Sequence, residues 1–462
     1  MSDYESRVLP ALSDQGGDAA FTAAELENSF PFDMGRRLRD PQQSSLLASI
    51  LEGMKRSEQR LRARTPRAER KWVASIDALL SNIAAAHLNV IDRSRYVAVS
   101  FNRNDYNDSG LSYRAVLACR HYLASIGYID VAPGFWRWDA DGTEHFGRRT
   151  RLRATTRMRE AIDQSGITRR SLTRPVTQLI QIRKRQHDVG PPPDDVERSR
   201  DLLSAINRRL AATEIAFPAA FERVFTSDRI EHEGEDSDGL DQKRSYAGDL
   251  TAMSLYRAFK YNWRTGGRIY GGWWMSLPKT MRPYLTIDGA PVVELDYQAL
   301  HPSILFSRAN APMPSDPYVV GDWTSPNMRK LGKKTFNRLV NREMPDKNKR
   351  MKIRAASGDR ELLVGAVPFR EYLARITTHL APIDPWFGTG EGIRLQYEDS
   401  MLALDVLEMM EAQSIPVLPI HDSFLVPVEF ESQLHSAMVS AFTKYQRVPA
   451  IHRTEPKSLI DM

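Results

Sequence analysis

Cysteine is nearly missing from this sequence. Cys119 stands alone among 462 residues, which excludes an intramolecular disulfide and any zinc site built from clustered cysteines. The chain also lacks an apolar run of about 18 residues, the length a membrane-spanning helix needs. Its first residues do not set a basic segment ahead of an apolar one, so no signal peptide is expected. The expectation is a cytoplasmic protein without a membrane partner. Neither sign of charge dominates: 64 Lys and Arg face 58 Asp and Glu, a formal +6. That balance permits a polyanionic partner without requiring one. Hydrophobic residues make up 42% and charged residues 26%, which suits a globular chain with core enough for two or three domains. No internal repeat is present, and the oligomeric state is not legible.

What is present is unevenly placed. Basic residues concentrate in KRSEQRLRARTPRAERK (55–71), RRTRLRATTRMR (148–159) and RKLGKKTFNRLVNREMPDKNKRMKIR (329–354). Such runs form either a solvated helix face or a nucleic-acid contact surface. Residues 1–50 have weak periodicity and read as a flexible arm. Within 51–165 the order is a helix at 72–92, a strand at 95–101, a helix at 112–130, a hairpin over 134–152 centred on Asp141-Gly142, and a helix at 155–164. This order resembles a winged-helix DNA-binding module of the kind found in replication initiators. The resemblance implies phosphate contacts from Arg148, Arg149, Arg151 and Arg153 on the wing. A structural or protein-binding winged helix stays open. Residues 166–227 read as helical with a break at GPPPDD (190–195), and 228–245 as an acidic, exposed linker, with a metal site around His232 as the alternative.

The chemistry concentrates in the last segment, 246–462. PVVELDYQALHPSILF (291–306) starts as a strand and turns into a helix, leaving Asp296 at the strand end. SIPVLPIHDSFLVPVEF (414–430) sets two β-rich runs around His421-Asp422-Ser423. Turn chemistry alone accounts for Asp422. It does not account for Asp296, because a carboxylate in an apolar strand is costly unless paired or metal-bound. On adjacent antiparallel strands the two aspartates would repel each other and invite divalent cations. Two Mg²⁺ ions suit such a pair, with Mn²⁺ as a substitute and the Tyr297 carbonyl as a further ligand.

These motifs resemble the palm and fingers of the family A and phage-type single-subunit nucleic-acid polymerases. LDYQALHPSIL is similar to polymerase motif A, with wording also close to the family B form. IHDSFLVP is similar to motif C, its Ser423-Phe424 nearer to the phage-type RNA polymerases. NWRTGGRIYGG (262–272) resembles the Gly-Arg element ahead of motif A. The helix expected at RKLGKKTFNRLVNRE (329–343) sits where motif B belongs. It places Arg329, Lys333 and Asn337 at helical spacing for a triphosphate, but carries Asn341-Arg342 where family A has an aromatic followed by glycine. The resemblance further implies nucleic-acid contacts from Arg268, Tyr270, Gln396 and His421, with Trp273 and Trp274 beside them.

The implied fold is α+β: a right-hand polymerase palm with an antiparallel sheet, small helical fingers and a thumb at 166–227, after the winged-helix-like domain. The implied function is a template-dependent DNA polymerase that adds deoxynucleoside triphosphates to a primer 3′-hydroxyl. His301, five residues after Asp296, falls at the sugar gate, and its bulk argues against a ribose. An RNA polymerase or primase, a non-catalytic replication initiator with a degenerate palm, and a metal-dependent nuclease are the alternatives.

Overall fold

The computed structural model describes residues 26 and 29–457, apart from 59, 61, 89–94, 108, 139–144, 177, 184–188, 217–228, 236–240, 248–250, 344–357, 364–366 and 446–447. The chain divides into two compact units. The first comprises Met1–Pro175, Glu222–Arg229 and Ala247–Met253, and the second Val176–Phe221, Ile230–Tyr246 and Ser254–Met462.

In the first unit, β1 (Phe30–Pro31) precedes helices α1 (Ser45–Glu58) and α2 (Pro66–His87). Then follow β2 (Val97–Val99), α3 (Tyr113–Ser125), β3 (Ile129–Ala132), the hairpin β4 (Phe135–Trp138) and β5 (His145–Arg148), β6 (Thr150–Ala154) and α4 (Thr156–Gln164). Side-chain oxygens of Thr65, Ser112 and Thr155 cap α2, α3 and α4, which fixes where these helices begin. The apolar stripes of the unit's helices, including Ile50 of α1, Ile76 and Ile83 of α2 and Leu123 of α3, close one core with Leu152 of the sheet. The sheet order is β1-β2-β6-β3.

Two expectations change here. The described part of the N-terminal arm is folded: β1 pairs in parallel with β2, Phe30 opposite Val97. The wing arginines also separate. Arg151 is buried, and its Nε donates to the Leu26 carbonyl at 2.9 Å. Arg153 pairs with Asp130 at 3.3 Å and lies over the Tyr96 ring. Both belong to β6, and through their contacts with Leu26, Asp130 and Tyr96 they brace the sheet instead of reaching for phosphate. Arg148 is half-buried and Arg149 exposed. The Asp141-Gly142 turn lies outside the described residues.

The second unit begins within the stretch expected to be a helical thumb, but it opens on a strand, β7 (Ile180–Arg183), before helix α5 (Asp194–Ala212). Pro193 ends the preceding chain, and Asp194, Asp195 and Glu197 favour the positive end of the helix. The stretch read as an acidic linker carries two mutually paired strands, Arg229–Glu235 and Asp241–Ala247. β8 (Tyr256–Lys260) pairs in parallel with β7 and antiparallel with β9 (Asn262–Tyr270). The fully buried Arg257 holds this layer together: Nε donates to the Gly267 carbonyl (2.9 Å), Nη1 to Ser199 (3.1 Å) and Nη2 to Ser400 (3.1 Å). Burial pushes its guanidinium down to about 10.

The central sheet is antiparallel throughout and has six strands. Its middle strand is β10 (Ala290–Tyr297), which leads into α6 (Leu300–Arg308). Helices α7 (Pro326–Asn341), α8 (Phe369–His379) and α9 (Gly392–Ala412) follow. The chain then returns as the hairpin β11 (Leu418–Ile420) and β12 (Ser423–Pro427), helix α10 (Glu431–Phe442) and β13 (Ile451–Thr454). Trp273 and Trp274, expected beside a nucleic-acid contact, are core residues instead; Trp274 Nε1 donates to the Pro419 carbonyl at 3.1 Å.

Helix α7 is set by a cap and a close approach. Ser325 accepts from the Met328 amide and Pro326 takes the first helical position. A Cβ on Gly332 would overlap the Tyr318 carbonyl oxygen. Gly332→Val is therefore expected to lower the stability of the second unit by roughly 1–3 kcal/mol, because the backbone must move to make room. Urea unfolding monitored by tryptophan fluorescence measures this; an unchanged midpoint would contradict the contact.

Candidate active site

β10 lies between β12 and β13. Asp296 is in register with Ser423 on one side and His452 on the other. Asp422 precedes Ser423 in the two-residue turn of the β11–β12 hairpin, and its carbonyl accepts from the Tyr297 amide at 3.3 Å. The two aspartates thus stand at the same end of adjacent strands. The turn is made by His421, whose φ of 60° lies in the left-handed region. Histidine occupies this region more readily than most side chains. Beyond Asp296, Ala299 takes φ 47° and reverses the chain into α6. Both sharp turns flank the carboxylate pair.

Asp296, Tyr297 and Asp422 open on a cleft of about 1090 Å³. His301 of α6, Arg268 of β9 and Gln396 of α9 line it as well. The wall contributed by α7 brings Arg329, Lys333 and Asn337. Nine residues singled out in sequence therefore share one cavity. Lys333 is exposed, whereas Arg329 is tied to Asp316 at 2.5 Å. Tyr270 and His421 do not line the cleft; their rings meet edge to face at 5.6 Å beside it.

Among the described residues of this unit four carboxylates are buried, and each has an arginine. Arg282 holds Glu294 (2.9 Å), Arg338 holds Asp359 (2.5 Å), and Arg308 holds Glu391 (2.6 Å). Asp399 receives Arg268, with Nε to Oδ2 at 3.0 Å. Asp296 and Asp422, half-buried, form no ion pair among the described residues. Burial, and next the charge of Asp422, pushes the Asp296 carboxyl up to about 7, with Lys279 and Lys333 acting in the opposite sense. Asp399 behaves differently. Burial would raise it, but the hydrogen bond from His301 and the Arg268 charge outweigh that and hold it below the usual carboxylate range. Burial, then the Arg268 charge, lowers His421, whose Nδ1 is buried without a partner.

The donor set of the uncompensated pair is oxygen only: two carboxylates and the Tyr297 carbonyl. No cluster of three or more His, Cys, Asp or Glu suited to a metal occurs among the described residues. This fits a hard cation such as Mg²⁺, which takes one or two protein carboxylates and completes its shell with water and substrate phosphate. It does not fit a closed protein cage.

Several cleft residues were invisible in sequence. Lys279 and Asp316 gave no signal, and Lys334 sat unremarked in a basic run. His452 becomes relevant only through its register opposite Asp296. Behind the cleft lining, Asp399, three residues after Gln396 on an apolar helix, was the one detectable case: a buried acid in such a place needs a partner.

No protein-family model matches the sequence, and no curated protein does. Among solved structures the chain matches the POL domain of Pol1 from M. smegmatis, in complex with DNA primer-template and dNTP. Identity is 10% over 57% of this chain, with a TM-score of 0.29, and the match spans 65% of that structure. Among the described residues no helix is long and apolar enough to cross a membrane.

The raised Asp296 carboxyl gives a pH signature. Between the ordinary carboxylate value and about 7 the folded protein keeps a proton that the unfolded chain releases. Stability therefore falls as pH rises through that window. In EDTA, the urea midpoint of wild type relative to Asp296→Asn should drop between pH 4.5 and 7.5. A constant difference would show that the carboxyl is not perturbed.

Proposed function

We propose that this chain is a template-dependent DNA polymerase, transferring a deoxynucleotide from its triphosphate to a primer 3′-hydroxyl. The observation that carries the reading is the uncompensated Asp296–Asp422 pair, opening on a cleft whose facing wall is the basic helix α7. Asp296, Asp422 and the Tyr297 carbonyl would hold two Mg²⁺ ions. When bound, such ions activate the attacking hydroxyl and stabilise charge on the leaving pyrophosphate.

The chain's own residues supply the rest. Lys333 and Asn337 bind the triphosphate from α7, with Arg329 held ready by Asp316. Cationic donors aimed at phosphoryl oxygens stabilise the charge that develops in transfer. Arg268 and Gln396 reach the nascent base pair, while Tyr270 and His421 bracket the primer end. His301 occupies space next to the sugar, which favours deoxynucleotides over ribonucleotides. α9 lies along β9 and α7 stands across the cleft, in keeping with a palm and small fingers. A metal-dependent nuclease would have no use for a triphosphate-binding helix. In the first unit, the succession α2, β2, α3, β3, β4–β5 hairpin and β6 supports a winged-helix module for DNA, with Arg149 and the exposed Arg114 of α3 as its phosphate contacts.

Primer extension on a DNA template, with dNTPs and NTPs in parallel, tests the reading. Wild type should extend the primer with dNTPs, and Asp296→Asn or Asp422→Asn should reduce the rate by at least about a hundredfold. Circular dichroism should show both variants folded. Near-normal rates in both would overturn the assignment.

A further inference from the structure

Asp399 has no place in the chemistry assigned so far, yet it is among the most enclosed charges in the molecule, with its side chain 1% exposed. It does not line the cleft; its two partners do. Arg268 donates to Oδ1 at 3.1 Å and to Oδ2 at 3.0 Å through Nε. His301 Nε2 lies 2.9 Å from Oδ2. One carboxylate on α9 thereby ties together the edge strand β9, which carries Arg268, and the first turn of α6, which carries His301.

The lowered carboxyl keeps Asp399 an acceptor only, so the shared hydrogen sits on His301 Nε2. This sets the imidazole's tautomer and its plane. A ring free to turn about its side-chain bonds would swing away from a 2′-hydroxyl; a ring pinned by a buried carboxylate cannot. The same carboxylate fixes the guanidinium that faces the nascent base pair. Burying a charge this completely is costly, and a brace alone could be built from apolar side chains of similar volume at less expense. A fixed polar orientation could not.

We propose that Asp399 is a positioning residue for sugar selection: it locks His301 in the orientation that excludes a ribose and seats Arg268 against the nascent base pair in the same act. The inference rests on the polymerase reading above.

The test is single-nucleotide insertion on a primed DNA template, comparing kcat/KM for a dNTP and the matching NTP, with melting temperature recorded for each variant. Asp399→Asn keeps the volume but gives up the charge, and it should shrink the dNTP-over-NTP ratio by roughly tenfold, as loss of an orienting partner does elsewhere. His301→Ala should shrink the ratio at least as much, and the double variant no further than His301→Ala alone. If Asp399→Asn slows both nucleotides equally and leaves the ratio unchanged, Asp399 is a brace and the inference is overturned. Should that variant fail to fold, His301 decides. His301→Gln can still donate to Asp399 and should keep more of the ratio than His301→Ala, and equal loss in both overturns the inference. A wild type that inserts neither nucleotide overturns the polymerase reading itself, and this inference with it.

Discussion

Two like charges held side by side are the constraint from which the second unit follows. The antiparallel ladder between β10 and β12 fixes Asp296 opposite Ser423 and therefore next to Asp422. Coulomb repulsion at that spacing works against the fold. It is tolerated because the ladder, the buried β-branched residues of β10 and the two sharp turns leave the aspartates nowhere else to go. Strain and unpaired charge of this kind cluster at sites where a ligand completes the arrangement.

The surroundings are neutralised with care, which makes the exception informative. Glu294, two residues before Asp296 on the same face of the strand, has its charge met by Arg282, and its Oε1 also accepts from the Ser423 hydroxyl at 2.8 Å. Asp399 is satisfied by Arg268 and His301. Further out, Arg209 grips Glu411 at 2.7 and 2.9 Å and ties α5 to α9, so the helix that carries Asp399 is also anchored at its C-terminal end. Each buried acid described in the second unit thus receives a cation from within the fold. Asp296 and Asp422 have no such ion pair among the described residues.

Much of the site was legible because its signals are local. A strand ending in Asp and turning into a helix, and a hairpin with a carboxylate at its tip, each fit within about a dozen residues and obey the period-two and turn rules. The spacing of Arg329, Lys333 and Asn337 is likewise a property of one helix. What escaped depends on distant pairing. Arg268 and Asp399 are 131 residues apart, and His301 and Asp399 are 98 apart. No periodicity in either segment announces the other. Arg151 and Arg153 departed from the wing expectation for a similar reason. Alternation along β6 places Arg151 and Arg153 on one face, but whether that face meets solvent depends on contacts with residues distant in sequence, Leu26 for Arg151 and Asp130 and Tyr96 for Arg153. The strand β7 in place of helix was missed because its hydrogen bonds come from β8, far along the chain.

The central claim is that Asp296 and Asp422 jointly hold two divalent ions. Anomalous diffraction from crystals soaked with Mn²⁺, primer-template and a non-hydrolysable dNTP tests it most directly. The account predicts two manganese peaks about 3.5–4 Å apart, both contacted by these two carboxylates and by triphosphate oxygens. Manganese bound elsewhere, or a nucleotide seated in the cleft with no metal on either aspartate, would contradict it.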